Sequence, residues 1–163
     1  MENTAKYEEV EILDIARTPV WVLEIGTQVP AGFPSPASEH GGDKVDLNEI
    51  LLPHPDHTYL ARVRGTSMEG GPANIQDGAL LAVDCALDPQ HGQVVVAALD
   101  GEFTVKRLER RGSTWWLVAD NPHYQPIDTS RADKFEVWGV VTHVVTELIN
   151  GKLHQHCKGR QLR

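Results

Sequence analysis

Six short segments rich in β-branched and aromatic residues constrain the fold of this chain more than any other feature. They are separated by turn sequences, and they are Thr58–Gly65, Ala79–Asp84, Gln93–Leu99, Glu102–Glu109, Thr114–Ala119 and Phe135–Val145. Such composition favours strands, and Asp100-Gly101 between two of them is typical of a β-hairpin turn. Short strands at regular spacing predict a mostly-β domain, barrel-like or sandwiched.

The remaining segments divide the chain into four predicted parts. Residues 1–31 form an N-terminal arm, residues 32–45 a flexible linker, residues 46–148 the β domain and residues 149–163 a basic C-terminal tail. One short helix is expected at the start of the domain, where Asp46 and Glu49 match a capping box. Pro53 and Pro55 then end this helix.

Charge and composition disfavour several classes of function. The net charge of −8 is unlike that of a protein whose main task is to bind nucleic-acid phosphates. The sequence contains no apolar segment of the roughly 18 residues that a membrane span requires, and its acidic start does not resemble a secretory signal. Two cysteines, Cys85 and Cys157, form no disulfide framework. We therefore expect a cytoplasmic protein.

The tail from Gly151 is basic and contains His154 and His156. Two histidines could bind a metal ion, but no third ligand lies nearby in the sequence. A solvated terminus is the simpler interpretation, and we expect neither a metal ion nor a cofactor.

The segment Val29–Ser38, "VPAGFPSPAS", contains three prolines and can form neither a helix nor a central strand. Each proline favours extended geometry in the residue before it. An exposed, extended segment is either a simple linker or a protease substrate, because proteases bind their substrates in extended form. Composition alone leaves both interpretations open for the small-residue pair Ala31-Gly32.

Ser67 lies in the glycine-rich bend "RGTSMEGG" that follows a predicted strand. A serine presented in this way can be a nucleophile if a base lies beside it, although most serines in such turns only bond to the backbone. Three histidines are candidates for this base: His91, His123 and His143. None of them has an aspartate at a sequence spacing that would indicate a catalytic partner.

Lys106 is the other candidate base. It lies in the middle of the predicted strand "EFTVKRLE", on the same face as Thr104 and Leu108. To act near neutral pH, its pKa would have to fall from about 10.4 to about 7, and burial lowers the pKa of a lysine in this way. A lysine whose ammonium group reaches water is the common alternative.

Five sequence segments together carry a family resemblance: "VPAGFPSPAS", "DLNEILLPHP…TYL", "GTSM…DGALLAVD", "HGQVVVAALDGEFTVKRL" and "NPHYQPI…FEVWGVVTHVV". In this order they resemble the LexA/UmuD family of self-cleaving Ser/Lys peptidases, in particular its UmuD-like, plasmid-borne members. The resemblance covers roughly residues 29–145. It implies a peptidase domain of short, strongly bent strands with a flexible N-terminal arm.

The resemblance also implies a site and a function. Ser67 would be the nucleophile, Lys106 the general base and acid, and Ala31-Gly32 the bond that is cut. Backbone N–H groups of Thr66 and Ser67 would stabilise the oxyanion. A RecA filament on single-stranded DNA would stimulate the cut in the SOS response to DNA damage. The shortened chain would then be a homodimeric accessory subunit of a UmuC-like translesion polymerase.

Three alternatives belong to other classes. A LexA-type repressor needs a DNA-binding domain ahead of the cut, and residues 1–30 are too short and too acidic for one. A signal peptidase shares the Ser/Lys chemistry but needs a membrane anchor. A dimeric interaction module would keep the fold without cleavage; the joint presence of Ser67, Lys106 and Ala31-Gly32 favours an active enzyme.

Overall fold

The computed structural model of the protein describes residues 10–13, 21–23 and 44–148. Within them the chain forms ten strands, one α-helix and one 3-10 turn. The strands are β1 (Val10–Leu13), β2 (Trp21–Leu23), β3 (Lys44–Asp46), β4 (Thr58–Val63), β5 (Leu80–Asp84), β6 (Val94–Leu99), β7 (Glu102–Arg111), β8 (Thr114–Val118), β9 (Ile127–Asp128) and β10 (Phe135–Val145). Helix α1 spans Leu47–Leu51, and the 3-10 turn spans Thr129–Arg131. The prediction of a mostly-β fold is confirmed.

Eight of these strands form one antiparallel sheet in the order β1-β4-β5-β10-β6-β7-β8-β9. Strands β2 and β3 form a separate antiparallel pair. Strand β10 lies at the centre of the sheet: its first half pairs with β6 and its second half with β5. All six predicted strands are present as β4 to β8 and β10, with ends that differ by at most two residues.

Register shifts in β10 bend the sheet. They fall between Val137 and Gly139 and between Val141 and His143, and bulges of this kind increase strand bending and twist. Gly139 lies where β10 approaches β5 closely: a Cβ atom there would be 2.7 Å from Cγ1 of Val83. The curled sheet encloses two groups of buried apolar side chains, one around Met68, Ile75 and Leu81 and the other around Leu99, Leu108 and Leu117.

The short helix begins as the sequence predicts. Asp46 is its N-cap, and its side chain accepts a hydrogen bond from the backbone N–H of Asn48 at 2.9 Å. The helix ends at Leu51, two residues before Pro53. The assignment of residues 32–45 to a linker is wrong at its end, because Lys44 and Val45 pair with β2.

The arm contributes strands that the sequence analysis did not assign. Strand β1 pairs with β4 over Val10–Leu13, and β2 pairs with β3 over Trp21–Leu23. Two short apolar segments without a sustained period gave too weak a signal to place either strand. The sheet therefore has an edge strand from residues that lie ahead of Ala31-Gly32.

Candidate active site

The loop between β4 and β5 carries Ser67 and is held by its own hydrogen bonds. Gly65 N–H donates to Oδ1 of Asp77 at 2.7 Å, and Ile75 N–H donates to the carbonyl of Met68 at 2.9 Å. Met68 and Ile75 are buried in the first apolar group. The residue after the candidate nucleophile is therefore anchored in the core, and this fixes the turn at Ser67.

Ser67 and Lys106 lie side by side although 39 residues separate them. Nζ of Lys106 is 2.7 Å from Oγ of Ser67. Ser67 is 0% exposed and Lys106 is 5% exposed. The alternative that the lysine head reaches water is therefore wrong: the strand β7 has buried residues on both faces at Thr104, Val105 and Lys106.

Two further oxygens hold the lysine nitrogen. Nζ of Lys106 lies 3.0 Å from Oγ1 of Thr104 and 3.0 Å from the carbonyl oxygen of Val105. Thr104 is completely buried. Burial disfavours the charged form of a lysine, and oxygens placed in this way orient the nitrogen toward Ser67.

The three histidines that the sequence analysis considered bond elsewhere. Nδ1 of His91 accepts from the backbone N–H of Arg110 at 3.0 Å. Nδ1 of His143 lies 3.1 Å from Oγ1 of Thr142, and His123 bonds through its backbone N–H to Asn121. Of the candidate bases, Lys106 is the one whose side-chain nitrogen bonds to Oγ of Ser67.

Within the described part of the chain, His54 and Asp84 form an acid–histidine pair at a distance from Ser67. Nδ1 of His54 lies 2.5 Å from Oδ2 of Asp84, whose side chain is completely buried. Asp84 pairs with Thr58 at the opposite end of β4 and β5 from the loop that carries Ser67. Burial, and then the charge of Asp84, raise the pKa of the neighbouring Cys85. This pair stabilises the far end of the sheet and does not complete a serine–histidine–aspartate triad.

The loop after β8 supports the loop that carries Ser67. Arg107 bonds to Asp120 through two contacts of 2.8 and 2.7 Å, and Asp120 also accepts from the backbone N–H of Ala73 at 3.0 Å. The hydrogen bond to Asp120 is the main reason why the pKa of Arg107 is raised. The next residue, Asn121, bonds to Thr66 and Ser67.

Ser67 and Lys106 were predicted from the sequence, but the roles of their supports were not. Alternation places Thr104 on the face of Lys106 in β7, but it gives the threonine no role. Asp120 and Asn121 gave no such signal, since no local pattern places their loop beside Ser67. Ala31, Gly32, His154 and His156 lie outside the described residues.

Among the described residues, no group of three or more histidine, cysteine, aspartate or glutamate side chains could hold a metal ion. No helix in the same part of the chain is long and apolar enough to cross a membrane.

The chain is similar to known proteins over most of its length. The chain is 43% identical to the protein ImpA of Salmonella typhimurium over 116 residues, which cover 71% of this chain and 77% of that protein. It is 43% identical to the protein MucA of Escherichia coli over 122 residues, or 74% of this chain and 81% of that protein. The LexA repressor of Ectopseudomonas mendocina is 45% identical over 106 residues, which cover 65% of this chain and 50% of the repressor.

The family assignment rests on most of the chain. Residues 22–142 match the family described as Peptidase S24-like. The resemblance that the sequence segments indicated is thereby confirmed. The chain belongs to the Peptidase S24-like family, as a UmuD-like member of its LexA/UmuD group.

Proposed function

We propose that this chain is a latent Ser/Lys endopeptidase that cuts its own Ala31-Gly32 bond. The observation that carries the proposal is the 2.7 Å contact between Nζ of Lys106 and Oγ of Ser67 in a buried setting. A serine hydroxyl is a weak nucleophile until an adjacent base takes its proton. A neutral, buried lysine amine supplies such a base without a histidine.

Cleavage proceeds in two stages. Oγ of Ser67 attacks the carbonyl carbon of Ala31 while Lys106 takes the hydroxyl proton. The tetrahedral intermediate places its negative oxygen toward the backbone N–H groups of Thr66 and Ser67. When the C–N bond breaks, Lys106 gives the proton to the amine of Gly32, and an ester joins Ser67 to Ala31.

Water completes the reaction. Lys106 takes a proton from a water molecule, whose oxygen attacks the ester carbonyl. The ester bond then breaks and Oγ of Ser67 regains a proton from Lys106. The products are a fragment that ends at Ala31 and a chain that begins at Gly32, and the enzyme returns to its starting protonation state.

The similarity to UmuD-like proteins supports a role in the SOS response and mutagenesis. A RecA filament on single-stranded DNA acts as co-protease by favouring the cleavable conformation, with no catalytic group of its own. The processed chain forms a homodimer and serves as an accessory subunit of a UmuC-like translesion polymerase. The net charge of −8 suits a subunit that binds proteins and leaves DNA to the polymerase.

Intact mass after overnight incubation at pH 7 and at about pH 10 tests the peptidase, since high pH neutralises lysine. We expect the wild type to lose a fragment that ends at Ala31, faster at high pH. Ser67→Ala and Lys106→Ala should stay whole under both conditions. If the wild type stays whole even with RecA, single-stranded DNA and a nucleotide, the chain is a non-cleaving interaction module.

The partnership needs its own measurement. Light scattering after size exclusion should give the mass of a dimer for the chain that begins at Gly32. The same chain should co-elute with a UmuC-like polymerase. A monomeric mass, or separate elution of the two proteins, would contradict the accessory-subunit role while leaving the cleavage chemistry intact.

A further inference from the structure

Asn121 donates two hydrogen bonds to the turn that carries Ser67. Its backbone N–H donates to the carbonyl oxygen of Ser67 at 2.9 Å, and its side-chain Nδ2 donates to the carbonyl oxygen of Thr66 at 2.9 Å. Its Oδ1 accepts from the backbone N–H of His123 at 3.0 Å. Because Oδ1 is occupied by a donor, the amide is oriented with its nitrogen toward Thr66.

The bond to Thr66 has a consequence for Ser67. The Thr66–Ser67 peptide is a planar unit, so the carbonyl of Thr66 and the N–H of Ser67 point in opposite directions. Two donors hold this carbonyl, Nδ2 of Asn121 at 2.9 Å and the backbone N–H of Glu69 at the longer distance of 3.2 Å. Whatever fixes the carbonyl also fixes the direction of the N–H. The second bond, to the carbonyl of Ser67, fixes the next peptide plane in the same way.

We propose that Asn121 is a positioning residue that aims the Ser67 N–H at the developing oxyanion. The role rests on the proposed self-cleavage, in which that N–H is an oxyanion donor. Such donors are effective because they are aimed before the reaction begins. Asn121 acts through the peptide plane and does not touch the reacting atoms.

The support of Asn121 links the nucleophile to the base. Asp120, the preceding residue, is bound by Arg107, which follows Lys106 in β7. Tyr124 adds a contact of 2.8 Å between its hydroxyl oxygen and Oγ1 of Thr66. One loop thus contacts both the strand that carries the base and the turn that carries the nucleophile, so their relative position is set by short bonds.

Asn121→Asp tests the role with little change in shape. The carboxylate can still accept from His123 N–H, but it offers no donor to the Thr66 carbonyl and repels it. Asn74→Asp is the matched control: Asn74 lines the same cavity of about 410 Å³. Oδ1 of Asn74 only accepts, from Gly70 N–H at 3.0 Å, and aspartate preserves that bond. Both variants add one negative charge to the cavity.

The readout is the full pH–rate profile of self-cleavage on folded protein. We expect Asn121→Asp to lower the high-pH plateau about 10- to 100-fold, somewhat less than the loss of an oxyanion donor itself. Asn74→Asp should stay within about threefold of the wild type. In both variants the midpoint can move only to higher pH, since an added negative charge favours the protonated lysine, and the plateau rate is therefore the quantity that separates them.

The outcomes separate this role from the proposed function. If the wild type cuts itself and Asn121→Asp keeps its plateau, or Asn74→Asp loses as much, the positioning role is wrong and the peptidase stands. If the wild type does not cut itself under any activating condition, both proposals fail. Should Asn121→Asp not fold by circular dichroism, Asn121→Ala removes the same donor without a charge, and the same expectation and the same contradiction apply to it.

Discussion

At the scale of single residues, three oxygens lie within 3.0 Å of the nitrogen of Lys106. The chemistry of the lysine depends on which of them accept its N–H groups and which one faces its lone pair. A neutral amine has two N–H donors and one lone pair. The carbonyl of Val105 can only accept, so it takes one donor, and the hydroxyl oxygen of Thr104 accepts the other. The lone pair is then directed at the Ser67 hydroxyl. An ammonium donates to all three oxygens and leaves Ser67 without a base, so the same geometry is inactive when protonated.

Thr104→Val tests whether the hydroxyl of Thr104 orients the lone pair of Lys106 toward Ser67. It preserves the side-chain shape but removes the acceptor, so the lone pair loses its orientation. Self-cleavage should fall about tenfold, less than the roughly hundredfold or more that a general base contributes, because Lys106 itself remains. The midpoint of the pH–rate profile should move to lower pH, because a hydroxyl oxygen stabilises the ammonium more than the amine. Thr104→Ser restores the hydroxyl and should cleave within about threefold of the wild type. A Thr104→Val profile identical to that of the wild type would contradict the assignment.

At the scale of elements, the candidate site combines strand β7 with the loop that carries Ser67, and the two were predictable from the sequence on different grounds. Strand β7 was predictable because alternation and β-branched residues mark it, and the same alternation puts Thr104 on the face of Lys106. The residue Ser67 was also predictable, through its glycine-rich bend and the family resemblance. The contact between them followed from the family resemblance alone, since no local pattern shows how a curled sheet brings distant segments together.

The loop after β8, which supports Ser67, could not be placed from the sequence either. Asp120 and Asn121 lie in an irregular segment after β8, and their bonds to Ala73, Thr66 and Ser67 span more than 45 residues. No period or turn type encodes such a contact. The strands of the arm were missed for a related reason: β1 and β2 are stabilised by pairing with distant strands more than by their own pattern.

Gly71→Ala probes the packing between these two loops. A Cβ atom at Gly71 would lie 2.5 Å from Cβ of Asp120 and 2.9 Å from its carbonyl oxygen. Overpacking of this kind costs about 1–3 kcal/mol, so the melting temperature should fall. Because Asn121 follows Asp120, self-cleavage per folded molecule should also fall about tenfold or more, as small misplacements of reacting groups are costly.

Gly70→Ala is the control in the same loop. A Cβ atom there meets nothing within 4 Å, and the positive φ of +75° accounts for its cost of about 1–2 kcal/mol. Its cleavage rate per folded molecule should match that of the wild type. Equal rates for both alanine variants would show that displacement of Asp120 does not reach Ser67.

At the scale of the whole molecule, the proposed cut separates the edge of the sheet from its centre. Strand β1 precedes Ala31-Gly32 in the chain, and its partner β4 follows it. Before the cut, one covalent chain joins the two strands; afterwards the pairings of β1 with β4 and of β2 with β3, four and three residues long, hold the released fragment. Pairing that short is weak without a tether, because ordering a free segment costs conformational entropy. Cleavage should therefore expose β4 as a new edge.

Hydrogen exchange measures this consequence directly. Two chains that cannot cut themselves are compared: the full chain and a chain that begins at Gly32, both with Ser67→Ala. Alternate amides of Leu60–Val63, those that face β1, should exchange about tenfold faster or more in the shorter chain, since edge amides open locally without global unfolding. Amides that join β6 to β7, at the centre of the sheet, should keep their protection. Unchanged exchange in β4 would show that the arm does not protect this edge in solution, and loss of protection throughout would show that the arm is part of one cooperative unit with the sheet.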